Sequence, residues 1–232
     1  MLTNAEIKEI RSLGEKKFRD SLSLFVVEGE KMVQEALMSR FEVVKVIRRE
    51  EVGDAVMAKI SSMSTPPPVI AVVRKSAPAA LTLDRGLYLG LDSVRDPGNM
   101  GTIIRLAEWF GIGTVFTSPD CVEVWNPKVI QASMGSIFRV RTVTADIADM
   151  CRRFRAADMP VYGTFLDGTD IYSQMLSDEG LIVMGNESNG VSPGVEALVT
   201  SKLYIPSYGN SRAESLNVAV ATAVTLAEFR RR

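Results

Sequence analysis

Three polar segments of the sequence contain the residues best suited to chemistry, and each follows a short apolar run. The segments cover residues 92–105, 185–190 and 206–217. The apolar runs before them have the length of buried strands, and each run stops at turn-forming residues. In open α/β sheets, ligands bind outside the carboxyl ends of the strands. The second and third segments are therefore predicted to lie at the carboxyl ends of neighbouring strands, where a ligand could bind.

The first segment carries an amide and a guanidinium, Asn99 and Arg105, at the start of a predicted helix. Backbone N–H groups and the positive end of that helix would face whatever lies above the preceding strand. On residue type alone, Arg105 fits a surface ion pair equally well. Asn99 alone fits a helix N-cap.

The second segment has glycines at both ends, Gly185 and Gly190, and the carboxylate Glu187 between them. The glycines allow the backbone to pass close to a ligand. A plain turn is an equal alternative. The segment fails as a dinucleotide fingerprint, because Glu187 stands where the second glycine of that pattern is required.

The third segment begins at Pro206, which ends a strand, and continues through a loop with Asn210 and Arg212. Ser215 is predicted to cap the last helix, because apolar residues recur at helical spacing after it. On its own, Ser215 is no more than a cap.

The chain has no histidine, which excludes catalytic triads, Cys-His dyads and histidine metal sites. No metal is expected. Cys121 and Cys151 are far apart and no secretory signal precedes them, so both are predicted to be reduced. The net charge of −1 argues against a uniformly basic nucleic-acid binder but allows a local basic patch. No transmembrane segment is predicted, so a cytoplasmic protein is expected.

Strands and helices alternate along both halves of the chain, which predicts an α/β fold. In the first half, a helix capped by Thr3 or Asn4 is followed by strands at 24–27, 43–47 and 69–73 and by helices at 30–39 and 51–62. In the second half, six strands are predicted at 86–91, 112–117, 138–143, 160–165, 181–184 and 203–205. Helices at 99–110, 127–134 and 146–157 and after Ser215 would cover both faces of a mostly parallel sheet.

Residues 75–85 lose periodicity and contain Pro78, which is typical of an interdomain linker. The predicted domains are therefore residues 1–76 and 86–232, joined by a linker at 77–85.

In their order, the three segments resemble the motifs of the SpoU-type, or TrmH-like, RNA ribose 2′-O-methyltransferases. The motifs run from Asp96 through Arg105, from Met184 through Gly190 and from Ile205 through Asn217. The resemblance covers about residues 86–230. Residues 25–37 also resemble the amino-terminal RNA-binding domain of many members, a small α/β domain similar to ribosomal proteins.

The resemblance implies a carboxyl-terminal trefoil knot that holds S-adenosylmethionine, and an active site completed across a homodimer. Neither the knot nor the dimer follows from the spacing of residues, and general connection rules argue against knots. The cofactor-binding residues implied are Thr164, Met184, Gly185, Ile205, Ser215 and Leu216. The catalytic set implied is Asn99, Arg105, Glu187, Ser215 and Asn217.

A guanidinium is hard to deprotonate, so Arg105 is interpreted as an electrostatic clamp on the target phosphate and the developing oxyanion. Asn217 and Ser215 would orient the ribose hydroxyl, and Glu187 would hold either Arg105 or Asn99. The substrate expected is RNA, and ribosomal RNA by analogy with two-domain members, with transfer RNA as the alternative.

A basic cluster near the amino terminus, with Lys16, Lys17 and Arg19, is predicted to contact RNA phosphates, and a solvated helix end is its alternative. Two other functions stay open: a non-catalytic RNA-binding assembly factor, and an ordinary doubly wound nucleotide-binding enzyme. The second is disfavoured because no glycine-rich fingerprint follows the first strand of either half.

Overall fold

The computed structural model describes residues 2–76, 82–209 and 214–231. Part of the predicted linker, residues 77–81, lies outside these ranges. The same holds for residues 210–213, which include Asn210 and Arg212 of the third polar segment.

The amino-terminal unit is a three-stranded sheet with helices between its strands. Its strands are β1 (Leu24–Glu28), β2 (Val43–Arg48) and β3 (Val69–Arg74), in the order β1-β3-β2, and β3 is antiparallel to both neighbours. Its helices are α1 (Asn4–Ser12), α2 (Lys16–Leu22), α3 (Glu30–Leu37), α4 (Arg49–Val52) and α5 (Asp54–Ile60).

The first helix, α1, has the N-cap and the buried apolar residues that its sequence predicts. The Thr3 hydroxyl oxygen accepts a hydrogen bond from the Glu6 backbone N–H, and the Thr3 backbone N–H donates to the Glu6 carboxylate, which completes a capping box. Ile10 and Leu13 are buried, as their spacing predicts. The single helix predicted at 51–62 is wrong. Gly53 adopts φ 81 and divides this region into α4 and α5.

The carboxyl-terminal unit is a six-stranded sheet, and every pair of neighbouring strands in it is parallel. Its strands are β4 (Leu87–Leu91), β5 (Thr114–Thr117), β6 (Arg141–Thr144), β7 (Val161–Asp170), β8 (Gly180–Met184) and β9 (Ser201–Tyr204), in the order β6-β5-β4-β8-β7-β9. Its helices are α6 (Pro97–Trp109), α7 (Pro127–Ser133), α8 (Ile147–Ala156), α9 (Pro193–Glu196) and α10 (Val218–Phe229).

Helices cover both faces of this sheet, as predicted. Leu89 and Ile182 pack on the face that carries α6, α7 and α10, whereas Leu181 and Val183 pack on the face that carries α8. Two strands differ from prediction. Residues Ser136–Phe138 form a 3₁₀ turn, so β6 begins only at Arg141. Strand β7 continues to Asp170 after an irregularity between Thr164 and Thr169.

The two units share one apolar core. Phe25 of β1 stacks on Trp125 with 4.6 Å between ring centroids, and Phe41 packs edge-on against both Trp125 and Phe138. Neither cysteine forms a disulfide, as predicted. In the described part of the chain, no helix is long and apolar enough to cross a membrane.

Candidate active site

The three polar segments follow β4, β8 and β9 and meet at the carboxyl edge of the sheet. The segment after β4 leads into α6, and the segment after β9 leads into α10, which packs on α6. Strand β8 lies directly beside β4, so its loop faces the start of α6.

Asp96, not Asn99, caps α6. The Asp96 carboxylate accepts a hydrogen bond from the Asn99 backbone N–H at 2.8 Å, and Pro97 is the first helical residue. The alternative role of Asn99, as no more than a helix N-cap, is therefore wrong. Proline favours the first helical position, so the Asp96-Pro97 pair was the signal that could have located the cap.

The side chain of Asn99 is instead the centre of a hydrogen-bonded chain that joins all three segments. Its Nδ2 donates to Oε1 of Glu187 at 3.1 Å. Its Oδ1 accepts from Nδ2 of Asn217 at 2.9 Å. The Oδ1 of Asn217 in turn accepts from the backbone N–H groups of Ala219 and Val220.

This chain of contacts fixes the orientation of both side-chain amides, that is, which partner faces the NH₂ group and which faces the oxygen. A carboxylate can only accept, so Asn99 must turn its NH₂ toward Glu187 and its oxygen toward Asn217. Asn217 then turns its own oxygen toward α10 and serves as the N-cap of that helix. The prediction that Ser215 is the cap is wrong: Ser215 lies two residues before the cap and is exposed.

Glu187 is held by more than Asn99. Its two carboxylate oxygens also lie within hydrogen-bond distance of the backbone N–H groups of Arg95 and Asp96. Partial burial raises the pKa of Glu187, but the hydrogen bonds from Asn99 and from backbone N–H groups outweigh it, so the pKa lies below its ordinary value. Glu187 is therefore an ionised acceptor that positions Asn99. This settles the choice between its two predicted partners.

The loop after β8 is shaped by two residues that the sequence prediction missed. The Oδ1 of Asn186 accepts from the backbone N–H groups of Ser188 and Asn189, and its Nδ2 donates to the Ser93 carbonyl. Buried Asp92 accepts from the backbone of Ser192. An asparagine that starts a turn-rich segment is a signal for such a self-bonded turn.

Position 185 requires a glycine, because the backbone of the following loop passes directly against it. A Cβ at this position would lie 2.2 Å from backbone atoms of Gly190 and Val191. The close approach that the glycines were expected to permit is therefore made by the loop returning on its own strand.

Arg105 lies one and a half turns beyond Asn99, on an exposed side of α6. It forms no hydrogen bond or ion pair with any residue in ranges 2–76, 82–209 and 214–231. The surface ion pair considered as its alternative role is not formed with those residues. Its guanidinium remains open to an anion.

The predicted cofactor residues lie at the ends of three adjacent strands. Thr164 of β7 places its hydroxyl 3.8 Å from the Met184 sulfur at the end of β8, and Gly185 follows directly. Ile205 follows β9 and is half-buried, whereas Leu216 is exposed. The set offers apolar side chains and few charges, which fits a flat purine.

The predicted RNA-binding cluster is only partly available. Arg19 is buried, and its guanidinium bonds to the Glu123 carboxylate and to the Leu13 carbonyl. We therefore correct the prediction that Arg19 contacts phosphate: Arg19 joins the two units. Lys16 and Lys17 are exposed and lie near Asp20 and Glu15, respectively.

Residues 86–227, more than half of the chain, match the SpoU rRNA Methylase family. The chain belongs to this family. In addition, residues 4–52 match the MRM3-like substrate binding domain.

Relatives of known activity extend over most of the chain. A 23S rRNA (guanosine(2553)-2′-O)-methyltransferase, RlmP of Bacillus subtilis, is 29% identical and the match covers 98% of this chain and 96% of that protein. A 23S rRNA (uridine(2479)-2′-O)-methyltransferase of Streptomyces viridochromogenes is 30% identical over 82% of this chain and 71% of that protein. The two family members methylate different nucleotides.

A solved structure shows that the whole fold is shared. The AdoMet-bound rRNA methyltransferase of Sinorhizobium meliloti superposes with a TM-score of 0.90 at 30% identity, over 100% of this chain and 96% of that one. The similarity includes both the amino-terminal unit and the six-stranded sheet.

Proposed function

We propose that this protein transfers a methyl group from S-adenosylmethionine to a ribose 2′-hydroxyl of ribosomal RNA. The observation that carries the proposal is the hydrogen-bonded chain Glu187–Asn99–Asn217, which joins three sequence-distant segments. The helix that carries Asn99 also carries Arg105, which pairs with no residue in the described ranges. Family membership and the activities of the relatives support the same reaction.

The cofactor would be held by Thr164, Met184, Gly185, Ile205 and the segment Ser215–Leu216. When bound, S-adenosylmethionine supplies an electrophilic methyl group on a sulfonium sulfur. The residues present fit this group, because the strand ends offer apolar side chains and backbone atoms rather than fixed charges that would compete with the sulfonium.

The remaining chemistry falls to the protein. A ribose hydroxyl is a weak acid, so its proton must pass to water as its oxygen accepts the methyl group, and the developing negative charge needs a cation. Arg105 supplies that cation and clamps the neighbouring phosphate, because a guanidinium stays protonated and offers several donors in one plane. Asn217 and Ser215 orient the hydroxyl, and Asn99 and Glu187 position Asn217.

Glu187 is assigned as a positioning residue and not as the base. Its carboxylate already accepts from Asn99 and from the backbone N–H groups of Arg95 and Asp96. Its lowered pKa also makes it a poor proton acceptor near neutral pH.

The same proposal includes a homodimer. Trp109 on α6 is 81% exposed and Val220 on α10 is 50% exposed, and these two helices pack on each other. Large apolar side chains on adjoining helices favour burial against a second copy. Replacing Val220 with Glu should then shift the mass measured by light scattering from dimer to monomer.

The trefoil knot and the division into a substrate-binding unit (1–76), a linker (77–85) and a catalytic unit (86–232) also belong to the proposal. Support for the knot comes from membership of the family. Lys16 and Lys17 stay proposed as phosphate contacts. A cytoplasmic location stays a prediction from sequence.

Two measurements test the function. Titration with S-adenosylmethionine should show saturable binding, and ribosomal RNA from cells lacking this protein should accept a methyl group at one ribose when protein and cofactor are added. Cofactor binding without methylation of ribosomal or transfer RNA would favour the non-catalytic assembly factor. Methylation of transfer RNA alone would replace the substrate class.

A further inference from the structure

A second concave site lies away from the proposed active site, where the two units meet. It is a pocket of about 310 Å³. Its walls come from the carboxyl-terminal ends of α1 and α5, from β1, and from Pro127, the first residue of α7. The volume is at the lower end of the range for small-ligand sites.

The interior of the pocket combines an apolar surface with one buried carboxylate. Ile10, Leu13 and Ile60 are buried aliphatic residues of the lining. Glu28, at the end of β1, also lines the pocket and is only 6% exposed.

Glu28 is a buried carboxyl group with which no cation pairs among the described residues. Its Oε1 accepts from the backbone and hydroxyl of Ser62, and its Oε2 accepts from the hydroxyl of Ser61. Each carboxylate oxygen can accept about two hydrogen bonds, so Oε2 retains capacity for one more donor. Buried polar groups are normally hydrogen-bonded, so this oxygen can accept a further hydrogen bond from an N–H group of a ligand.

Two free cations flank the pocket. Arg11 and Lys59 are exposed residues of the lining, and neither forms an ion pair with residues in the described ranges. Lys16 and Lys17, in contrast, already face carboxylates. Arg11 and Lys59 are therefore available to a phosphate beside the pocket, which would gain from their charge.

We propose that this pocket binds one unpaired nucleotide of the RNA substrate. The base lies on the aliphatic surface, an amino group of the base donates to Oε2 of Glu28, and Arg11 and Lys59 contact the phosphate. This inference rests on the proposed function, since it identifies how the amino-terminal unit holds the RNA. Proteins commonly read RNA through single unstacked bases whose edges they hydrogen-bond.

The carboxylate also predicts which bases are accepted. Guanine, adenine and cytosine carry an exocyclic amino group that can donate to Oε2, as Glu does with cytosine N4 in DNA recognition. Uracil has a single ring N–H between two carbonyl oxygens, and these would face the carboxylate. The pocket should therefore discriminate against uridine.

The pocket is connected to the active site through one helix. Pro127 begins α7, and residues of α7 contact Gly101 of α6 so closely that a Cβ there would lie 2.5 Å from the Ala132 Cβ. Asn99 lies two residues before Gly101. A nucleotide held against Pro127 is thus placed in a fixed relation to the helix that carries Asn99 and Arg105.

The direct test uses the full chain with labelled Ile, Leu and Val methyl groups and the four nucleoside 5′-monophosphates as probes. GMP, AMP and CMP should shift the methyl signals of Ile10 and Ile60, and UMP should bind at least about tenfold more weakly, a factor worth about 1.4 kcal/mol. The methyl signal of Ile147, in the core on the other face of the sheet, is the control. Unchanged Ile10 and Ile60 signals with all four probes would overturn the proposal.

Variants separate this site from the active site. Glu28→Gln should remove the discrimination against UMP, and Arg11→Ala with Lys59→Ala should raise the KM for RNA and flatten its salt dependence while kcat and cofactor binding stay unchanged. Arg152→Ala with Arg155→Ala removes the same charge from exposed positions on α8 and should change the RNA KM less. Equal effects of the two pairs, or discrimination that survives Glu28→Gln, would reject the pocket. If the parent protein transfers no methyl group to RNA, the proposed function is rejected. The nucleotide titration still tests the pocket in that case.

Discussion

At the scale of single residues, the active-site proposal depends on directional hydrogen bonds between amides. Glu187 accepts from Asn99, Asn99 accepts from Asn217, and Asn217 accepts from the backbone of α10. The donor and acceptor of each contact are fixed, because the chain of contacts begins at the Glu187 carboxylate, which cannot donate. A change of polarity at Asn99 should therefore disturb both neighbours.

Asn99→Asp tests this polarity. The substitution removes the donor to Glu187 and places a second carboxylate against the first, so kcat should fall by about 10- to 100-fold at neutral pH. Like charges at this distance raise the pKa of one member, and a proton taken up at lower pH restores a donor. The variant should thus lose less activity at pH 6 than at pH 8. A loss that is independent of pH would contradict the argument, and Asn189→Asp is the control.

The contribution of Glu187 to the free energy of unfolding should decrease at low pH. Its pKa in the folded protein lies below the ordinary value, so the contribution is present above the unfolded pKa of about 4.3 and is lost as the pH falls through the folded pKa. Urea unfolding of the parent protein and of Glu187→Gln should differ by a constant free energy from pH 6 to 8. The difference should shrink below about pH 4.

Arg105→Lys keeps the charge and removes the planar array of donors. We expect kcat for RNA methylation to fall by about tenfold or more, because one ammonium cannot hold a phosphate and an oxyanion in fixed geometry. Cofactor affinity should not change. Arg152→Lys, at an exposed position on α8, is the matched control. Methylation at the parent rate would remove Arg105 from the clamp role.

At the scale of elements, α6 is positioned by its contact with α7. A Cβ on Gly101 would lie 2.5 Å from the Ala132 Cβ and 2.6 Å from the Val129 carbonyl oxygen. The two helices approach closely because Gly101 has no side chain. The closeness of this contact fixes how far Asn99 and Arg105 project above the sheet.

Gly101→Ala should therefore destabilise the protein by about 1–3 kcal/mol, the usual cost of overpacking a close contact. It should also lower kcat, since α6 must shift away from α7. Gly194→Ala is the control, because a Cβ at that position meets nothing within 4 Å. Denaturant unfolding measures both variants, and equal stability of the two would show that the helices separate without cost.

The sequence predicted the elements well and their ends less well. Apolar runs gave all six strands of the large sheet, because buried parallel strands leave a continuous apolar signal. The start of α6 was placed at Asn99 and not at Pro97, and the cap of α10 at Ser215 and not at Asn217, since several capping residues lie within one turn of each start. Choosing among them depends on partners such as Glu187, which lies 88 residues from Asn99.

At the scale of the whole molecule, the two units behave as one packed body. The core that contains Phe25 and Val27 of the first sheet also contains Leu89 and Ile182 of the second. Composition and periodicity identified both units but not this joint surface. The contact depends on Trp125 and Phe138, which nothing in the local sequence marks as partners of Phe25.

The burial of Arg19 shows the same limit. A run of basic residues predicts a solvated, phosphate-binding surface, and Lys16 and Lys17 fit that prediction in their exposure. The side chain of Arg19 is 3% exposed and pairs with Glu123, which lies 104 residues away. Sequence spacing within the run carries no information about a partner at that separation.

The ion pairs around Glu123 give the final prediction. Glu123 pairs with Arg19 and with Lys75, and all three side chains are largely buried at the junction of the units. Glu123→Ala leaves the Arg19 guanidinium buried without a counterion, so the free energy of unfolding should fall by about 3–5 kcal/mol. Glu42→Ala removes the same group from an exposed pair with Arg74 and should have a much smaller effect. Denaturant unfolding of the full chain measures both.

Because the core is continuous, both fluorescence of Trp125 and methyl signals of the first sheet should report the same midpoint, and separate midpoints would show that the two units unfold independently.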